Sequence, residues 1–168
     1  MESLKVWVAT LIVGGLVGGC SGTSQLKEAL RPDPLYRKAL TYTQRGQLSN
    51  SLETKALVDA TYLNPLYPHR FTSPTFLIGV YNDFENNLTN PEFNLTLNGH
   101  PPTEINNTIP SFVLYKNFPF YNNWMRYYLV KFPKTGYPLK LKYQSQNWGA
   151  LQFKWQESNC PSPIELSP

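Results

Sequence analysis

Histidine, cysteine and methionine occur only twice each in the 168 residues, and just 15% of the chain is charged. The scarcity removes most catalytic designs from consideration. His69 and His100 each adjoin a proline, and neither has a third ligand at metal spacing, so both read as solvated loop residues. There is no Gly-x-Ser-x-Gly elbow, no glycine-rich phosphate loop and no His-Glu-x-x-His segment. Asp83, Glu85 and Asn87 alternate like the start of a calcium loop, yet Leu88 stands where the turn needs glycine. Neither a cofactor nor a metal is expected. The net charge of +4 is mild and scattered, which suits solubility or loose attraction to anionic headgroups better than a nucleic-acid interface. Nucleic acid is not an expected partner.

What is present begins at the N-terminus. One basic residue, Lys5, precedes a charge-free apolar run over residues 6–19 that is too short for the roughly 20 residues of a spanning helix. A charged start, short apolar middle and small-residue end form the pattern of a signal peptide. The run ends in Val17-Gly18-Gly19-Cys20, which resembles the lipobox of bacterial lipoproteins. That resemblance covers residues 1–20 and implies cleavage after Gly19, a diacylglyceryl thioether on the Cys20 sulfur and acylation, such as palmitate, on its new amino group. Two or three chains hold a protein on a membrane where one binds only marginally. The family uses Asp after the Cys for inner-membrane retention; Ser21 stands there, so the resemblance implies an outer-membrane lipoprotein. Lipidation would leave Cys160 without a disulfide partner, as an inert thiol in a Pro-rich tail.

The expected organisation is a signal peptide over 1–19, a lipidated Cys and flexible tether over 20–33, a folded domain over 34–156 and a tail over 157–168. Asp33-Pro34 offers a helix start and Gly46 a terminator, with Leu35, Ala39 and Tyr42 on one face and Tyr36 and Leu40 beside them. Lys27, Arg31, Arg37, Lys38 and Arg45 make this segment basic. Lipid headgroups are one reading of that run, and a solvated face is the plainer one. Residues 51–62 fit both helix and strand periods, and the strand accounts better for the polar positions.

Further strands are expected over 75–81, 92–97, 111–115 and 124–132, and then around Leu139-Leu141-Tyr143 and Leu151-Phe153-Trp155, with turns at Asn98-Gly99 and 147–149. Lys140 and Lys142 would face outward and protect a sheet edge. The composition, rich in Tyr, Phe, Asn and Pro, favours strands and turns. About seven short strands with Pro-rich connections predict an antiparallel β-sandwich, Ig-like or similar, preceded by one short α-helix. The Cys-Trp-Cys signature of true Ig domains and any fixed-period repeat are lacking.

Residues 115–128 interleave Phe118, Phe120, Tyr121, Trp124 and Tyr127 with Asn117, Asn122, Asn123 and Arg126. Flat rings beside amides suit sugar stacking or a protein-interface hot spot; the plainer reading is a loop that caps the sandwich and then joins its core. Three Asn-x-Thr sequons, at Asn87, Asn94 and Asn106, read as coincidental in the bacterial chain that the lipobox resemblance implies. The expected function is a membrane-anchored, non-enzymatic binding or structural accessory module with an envelope protein partner. The alternative is glycan recognition through residues 115–128. An envelope hydrolase or metalloenzyme is a further alternative, and requires His69 and His100 to converge with a carboxylate such as Asp83.

Overall fold

The computed structural model describes residues 33–82 and 87–157. Gly19, Cys20, Asp83, Glu85 and Cys160 lie outside them. The fold is mainly β, with two antiparallel sheets and one short helix ahead of the first strand. Helix α1 (Pro34–Tyr42) starts where Pro at the first helical position directs it. It buries Ala39 and Tyr42, and leaves Tyr36 and Leu40 exposed. It ends at Tyr42, four residues before Gly46, because the Thr43 hydroxyl donates back to the Ala39 carbonyl at 2.8 Å and the chain pairs at once with a neighbouring strand.

That strand, β1 (Thr43–Asn50), pairs along β2 (Glu53–Tyr62). Sequence periodicity misses β1, since Gln44, Arg45, Gln47, Ser49 and Asn50 give it no apolar face. Gly46 is no terminator: it lies inside β1, where an added Cβ would sit 3.1 Å from Leu151 and Phe153 side-chain atoms. The strand reading of residues 51–62 holds as β2. The first sheet continues through β3 (Thr75–Asn82) and β6 (Arg126–Lys131) to the edge strand β5 (Glu104–Asn106), in the order β1-β2-β3-β6-β5.

The second sheet runs β4-β7-β8, formed by β4 (Phe93–Leu97), β7 (Leu139–Ser145) and β8 (Gly149–Trp155). The turn glycines adopt positive φ at Gly99 (85°) and Gly149 (95°), as tight reversals require. Lys140 and Lys142 point away from the core, but β7 is the central strand, so they protect no edge. Residues 111–115 form no strand. Their amides bond locally, Val113 N–H to the Pro110 carbonyl and Tyr115 N–H to the Val113 carbonyl, ahead of a 3-10 turn at Tyr115–Asn117.

Between the sheets lies one core. Tyr62, Phe76 and Phe132 from the first sheet meet Trp155 and Phe153 from the second; the Phe76 and Trp155 ring centroids are 5.1 Å apart. Trp155 is buried, and its indole N–H donates to the Tyr42 carbonyl at 3.0 Å. Beside the packing of Leu151 and Phe153 on Gly46, a side-chain clamp bridges β1 and β8: the Gln44 amide donates to the Lys154 carbonyl at 2.8 Å and accepts from the Lys154 N–H at 3.3 Å. No described helix is long and apolar enough to cross a membrane.

Candidate functional site

The alternation of β2, β3 and β6 gives the five-stranded sheet a second face carrying Leu57, Asp59, Leu77, Gly79, Tyr127 and Leu129. Such a face exposes too much apolar surface to stay bare. The connection over 107–125 covers it, burying Val113, Phe118, Pro119 and Met125. Much of the aromatic stretch is therefore packing. Phe118 is 4% exposed and belongs to the core cluster, so it cannot meet a ligand directly.

Phe120 serves as a fastening. Its φ is 65°, a left-handed conformation that a bulky residue holds only when its surroundings impose it. The Arg45 guanidinium lies 4.5 Å from its ring centroid and donates to its carbonyl at 3.3 Å. The Asn122 amide donates to the same carbonyl at 3.1 Å. Arg45 in turn grips Asp59 through two hydrogen bonds of 2.6 and 2.7 Å. These bonds hold the Arg45 guanidinium above its ordinary value, whereas on Asp59 burial outweighs them and raises the carboxyl. The short bidentate contact is that of an ionised pair.

Tyr127 stands on Gly79, its cross-strand partner. A Cβ at Gly79 would fall 2.7 Å from Tyr127 Cε1, so a glycine inside an apolar strand marks a close approach here. The Tyr127 ring is 5.4 Å from Tyr121 and 5.3 Å from Tyr115. Its hydroxyl accepts the Asn122 N–H at 3.0 Å, and Asn122 Oδ1 accepts the Met125 N–H at 2.9 Å. Burial pushes the Tyr127 phenol up to about 12, although the Asn122 bond works the other way. A raised phenol means the fold favours the neutral form. Its stabilising contribution is complete below the unfolded value near 10 and is lost as pH rises through about 12. Tyrosinate absorbance on alkaline titration is therefore expected to show a late-ionising component, to which the more deeply buried Tyr143 also contributes, and Tyr127→Phe is expected to reduce it. Identical late amplitudes in the two proteins would contradict this assignment.

The three tyrosines line a hollow of 350 Å³ together with Asn107, Ile109, Asn122, Asn123, Met125, Arg126 and Tyr128. A neighbouring hollow of 360 Å³ shares Asn107, Arg126 and Tyr128 with it and adds Asn87, Thr89, Ile105 and Asn106. Local sequence explains the opening. Strand β5 pairs β6 only at residues 129–131, and then the Asn106 side chain accepts the Thr108 N–H at 2.7 Å, turning the chain off the sheet. The start of β6 is left beside a gap. The Asn-x-Thr triplet at 87–89 closes the same kind of turn, with Thr89 N–H donating to Asn87 Oδ1 at 3.0 Å.

Trp124 belongs to a separate surface. It is 55% exposed and meets Tyr81 edge-on at 5.5 Å, over a dip shared with Gln47, Thr54 and Leu57. Of the five aromatic candidates, the structure thus brings Tyr121 and Tyr127 together, gives Trp124 its own dip, uses Phe120 as a fastening and buries Phe118. Sequence reading included Tyr115 only as the start of the stretch 115–128, and overlooked Asn106 and Asn107 as groove residues. The Asx-turn triplet at 106–108 was the available signal. His69, with φ 70°, lies in the connection over 63–74, and His100 follows the β4 turn; both are exposed. Among the described residues no three His, Cys, Asp or Glu side chains are grouped to hold a metal. Compared with family models, curated proteins and solved structures, the chain matches none.

Proposed function

We propose that the chain is a lipid-anchored envelope module that acts by binding rather than by catalysis, tethered through Cys20 and recognising its ligand in the tyrosine–amide groove beside Arg126. The groove carries this reading. Two adjoining hollows, each within the roughly 300–1,000 Å³ span of small-ligand sites, open on a two-sheet scaffold; rings and amides of the aromatic stretch line most of the first, and Asn87, Thr89, Asn106 and Asn107 line much of the second. Rings with polar tips beside amide groups supply both contact area and orientation. The anchor rests on the lipobox resemblance alone. A protein partner is the second reading, favoured by Trp124 standing exposed over the Tyr81–Leu57 dip, since tryptophan dominates interface hot spots.

Both parts have direct tests. Cys20→Ala is expected to abolish palmitate labelling and to move the protein out of the membrane fraction, and unchanged membrane recovery would refute the anchor. Pull-down of the detergent-solubilised full chain from its own envelope is expected to recover a ligand that Tyr121→Ala loses and Trp124→Ala keeps. The reverse dependence would transfer the function to the Trp124 surface, and retention by both variants would remove it from both.

A further inference from the structure

The groove's spare hydrogen-bonding capacity leans toward donors. Among the described residues, the Arg126 side chain makes no ion pair or hydrogen bond, and it stands between the two hollows and lines both. Asn107, also shared, has an unengaged amide, and the Tyr115 hydroxyl is likewise free. Asn123 spends its oxygen on the Tyr121 hydroxyl at 2.9 Å, and Asn106 spends its oxygen on the Thr108 amide. Both keep their NH2 groups unused. Among the described residues no aspartate or glutamate lines either hollow. A surface whose described residues offer unspent donors, one unpaired guanidinium and no carboxylate is complementary to an acceptor-rich anion.

We infer that the groove binds an acidic glycan, with a sugar carboxylate on Arg126 and successive sugar units in the two hollows. This rests on the binding role proposed above and specifies its ligand. Sugar rings present apolar C–H patches and a rim of oxygens. The first suits the Tyr115–Tyr121–Tyr127 cluster, whose ring centroids lie 5.3 to 5.7 Å apart, and the second suits the spare NH2 groups of Asn106, Asn107 and Asn123. The planar guanidinium fork matches a carboxylate with two parallel hydrogen bonds, which a lysine cannot reproduce. Two hollows meeting at one arginine call for a polymer rather than a single sugar.

The test uses the detergent-solubilised full chain with two probes, a galacturonic acid hexamer and its fully methyl-esterified, uncharged counterpart. The charged hexamer is expected to bind at least about tenfold more tightly, with the advantage shrinking at high salt. Arg126→Met should erase the difference between the probes, Arg126→Lys should keep part of it, and Asn107→Ala should weaken both. Arg126 is exposed and makes no contact that folding needs, and an unchanged near-ultraviolet circular dichroism spectrum verifies this for each variant. Equal affinity for the two hexamers, or a charge preference that survives Arg126→Met, overturns the inference. So does failure of the charged hexamer to bind; if the envelope pull-down still depends on Tyr121 in that case, the groove binds something other than an acidic glycan and the wider binding role stands.

Discussion

Trp155→Ala is expected to destabilise the domain by about 4–5 kcal/mol, the largest effect of any single truncation. The indole is 1% exposed and packs against Tyr62, Phe76 and Phe153, so its removal leaves a cavity between two sheets that cannot collapse without shifting a strand. Burying an aromatic side chain and then deleting it costs about 3–5 kcal/mol by itself. The Tyr42 carbonyl also loses its indole donor, adding about 1 kcal/mol for the lost hydrogen bond. Total stabilities of such domains are about 5–15 kcal/mol, so the variant sits at the margin of folding. Trp155→Phe separates the two contributions, because it keeps a ring and loses only the bond and part of the volume, and about 1–3 kcal/mol is expected. Urea denaturation followed by circular dichroism reads both. A loss below about 2 kcal/mol for the alanine variant would mean that the sheets do not depend on this residue for their contact.

Arg45→Met is expected to cost about 2–4 kcal/mol, a figure set below the usual range for breaking a buried pair because the Arg45 side chain is 34% exposed. The damage comes from what remains. Asp59, only 6% exposed at its side chain, keeps its burial and loses both hydrogen bonds, while Phe120 loses its cation and a donor to its carbonyl. The pH dependence has a definite sign. Burial already raises Asp59 in the folded protein, and losing Arg45 raises it further. A raised carboxyl contributes stability below its unfolded value, and that contribution is lost as pH rises through the folded value. The deficit of Arg45→Met is therefore smallest in acid, where Asp59 is neutral, and grows toward neutral pH. Arg45→Met combined with Asp59→Leu is expected to recover most of the loss, since an apolar pair avoids the uncompensated charge. A deficit that is flat with pH, or a double variant no better than the single, would show that the ion pair is not what fastens the loop.

The sequence made the second sheet and most of the first legible because β2, β4, β7 and β8 carry their own alternation and β3 is a continuous run of strand-forming residues: Leu139, Leu141 and Tyr143 are buried, and Phe153 and Trp155 likewise. Strands β1 and β5 were hidden for a different reason. Thr-Gln-Arg-Gly-Gln-Leu-Ser-Asn and Glu-Ile-Asn hold their places through backbone pairing with β2 and β6, and pairing leaves little trace in a side-chain pattern. The central position of Lys140 and Lys142 was equally unreadable, because strand order follows from long-range pairing and not from local period. At the site, the aromatic stretch stood out, but its division into core, fastening and groove depends on which rings meet the outer face of the five-stranded sheet. Phe118 and Tyr121 differ by three positions and have the same chemical character. Only the path of the connection separates them.

The Gln44 clamp has a mechanical consequence. Any tension applied through the N-terminal segment enters the folded body at α1 and passes directly into β1. A strand held along one side alone would peel from its neighbour bond by bond. Here β1 is gripped on both sides, by the backbone of β2 along its length and by Lys154 through the Gln44 amide, while the Trp155 indole holds the Tyr42 carbonyl at its threshold. A pull on the N-terminal segment is thus shared between the two sheets at the first residues it reaches, and β6, which carries one wall of the groove, lies beyond β2 and β3 in the sheet.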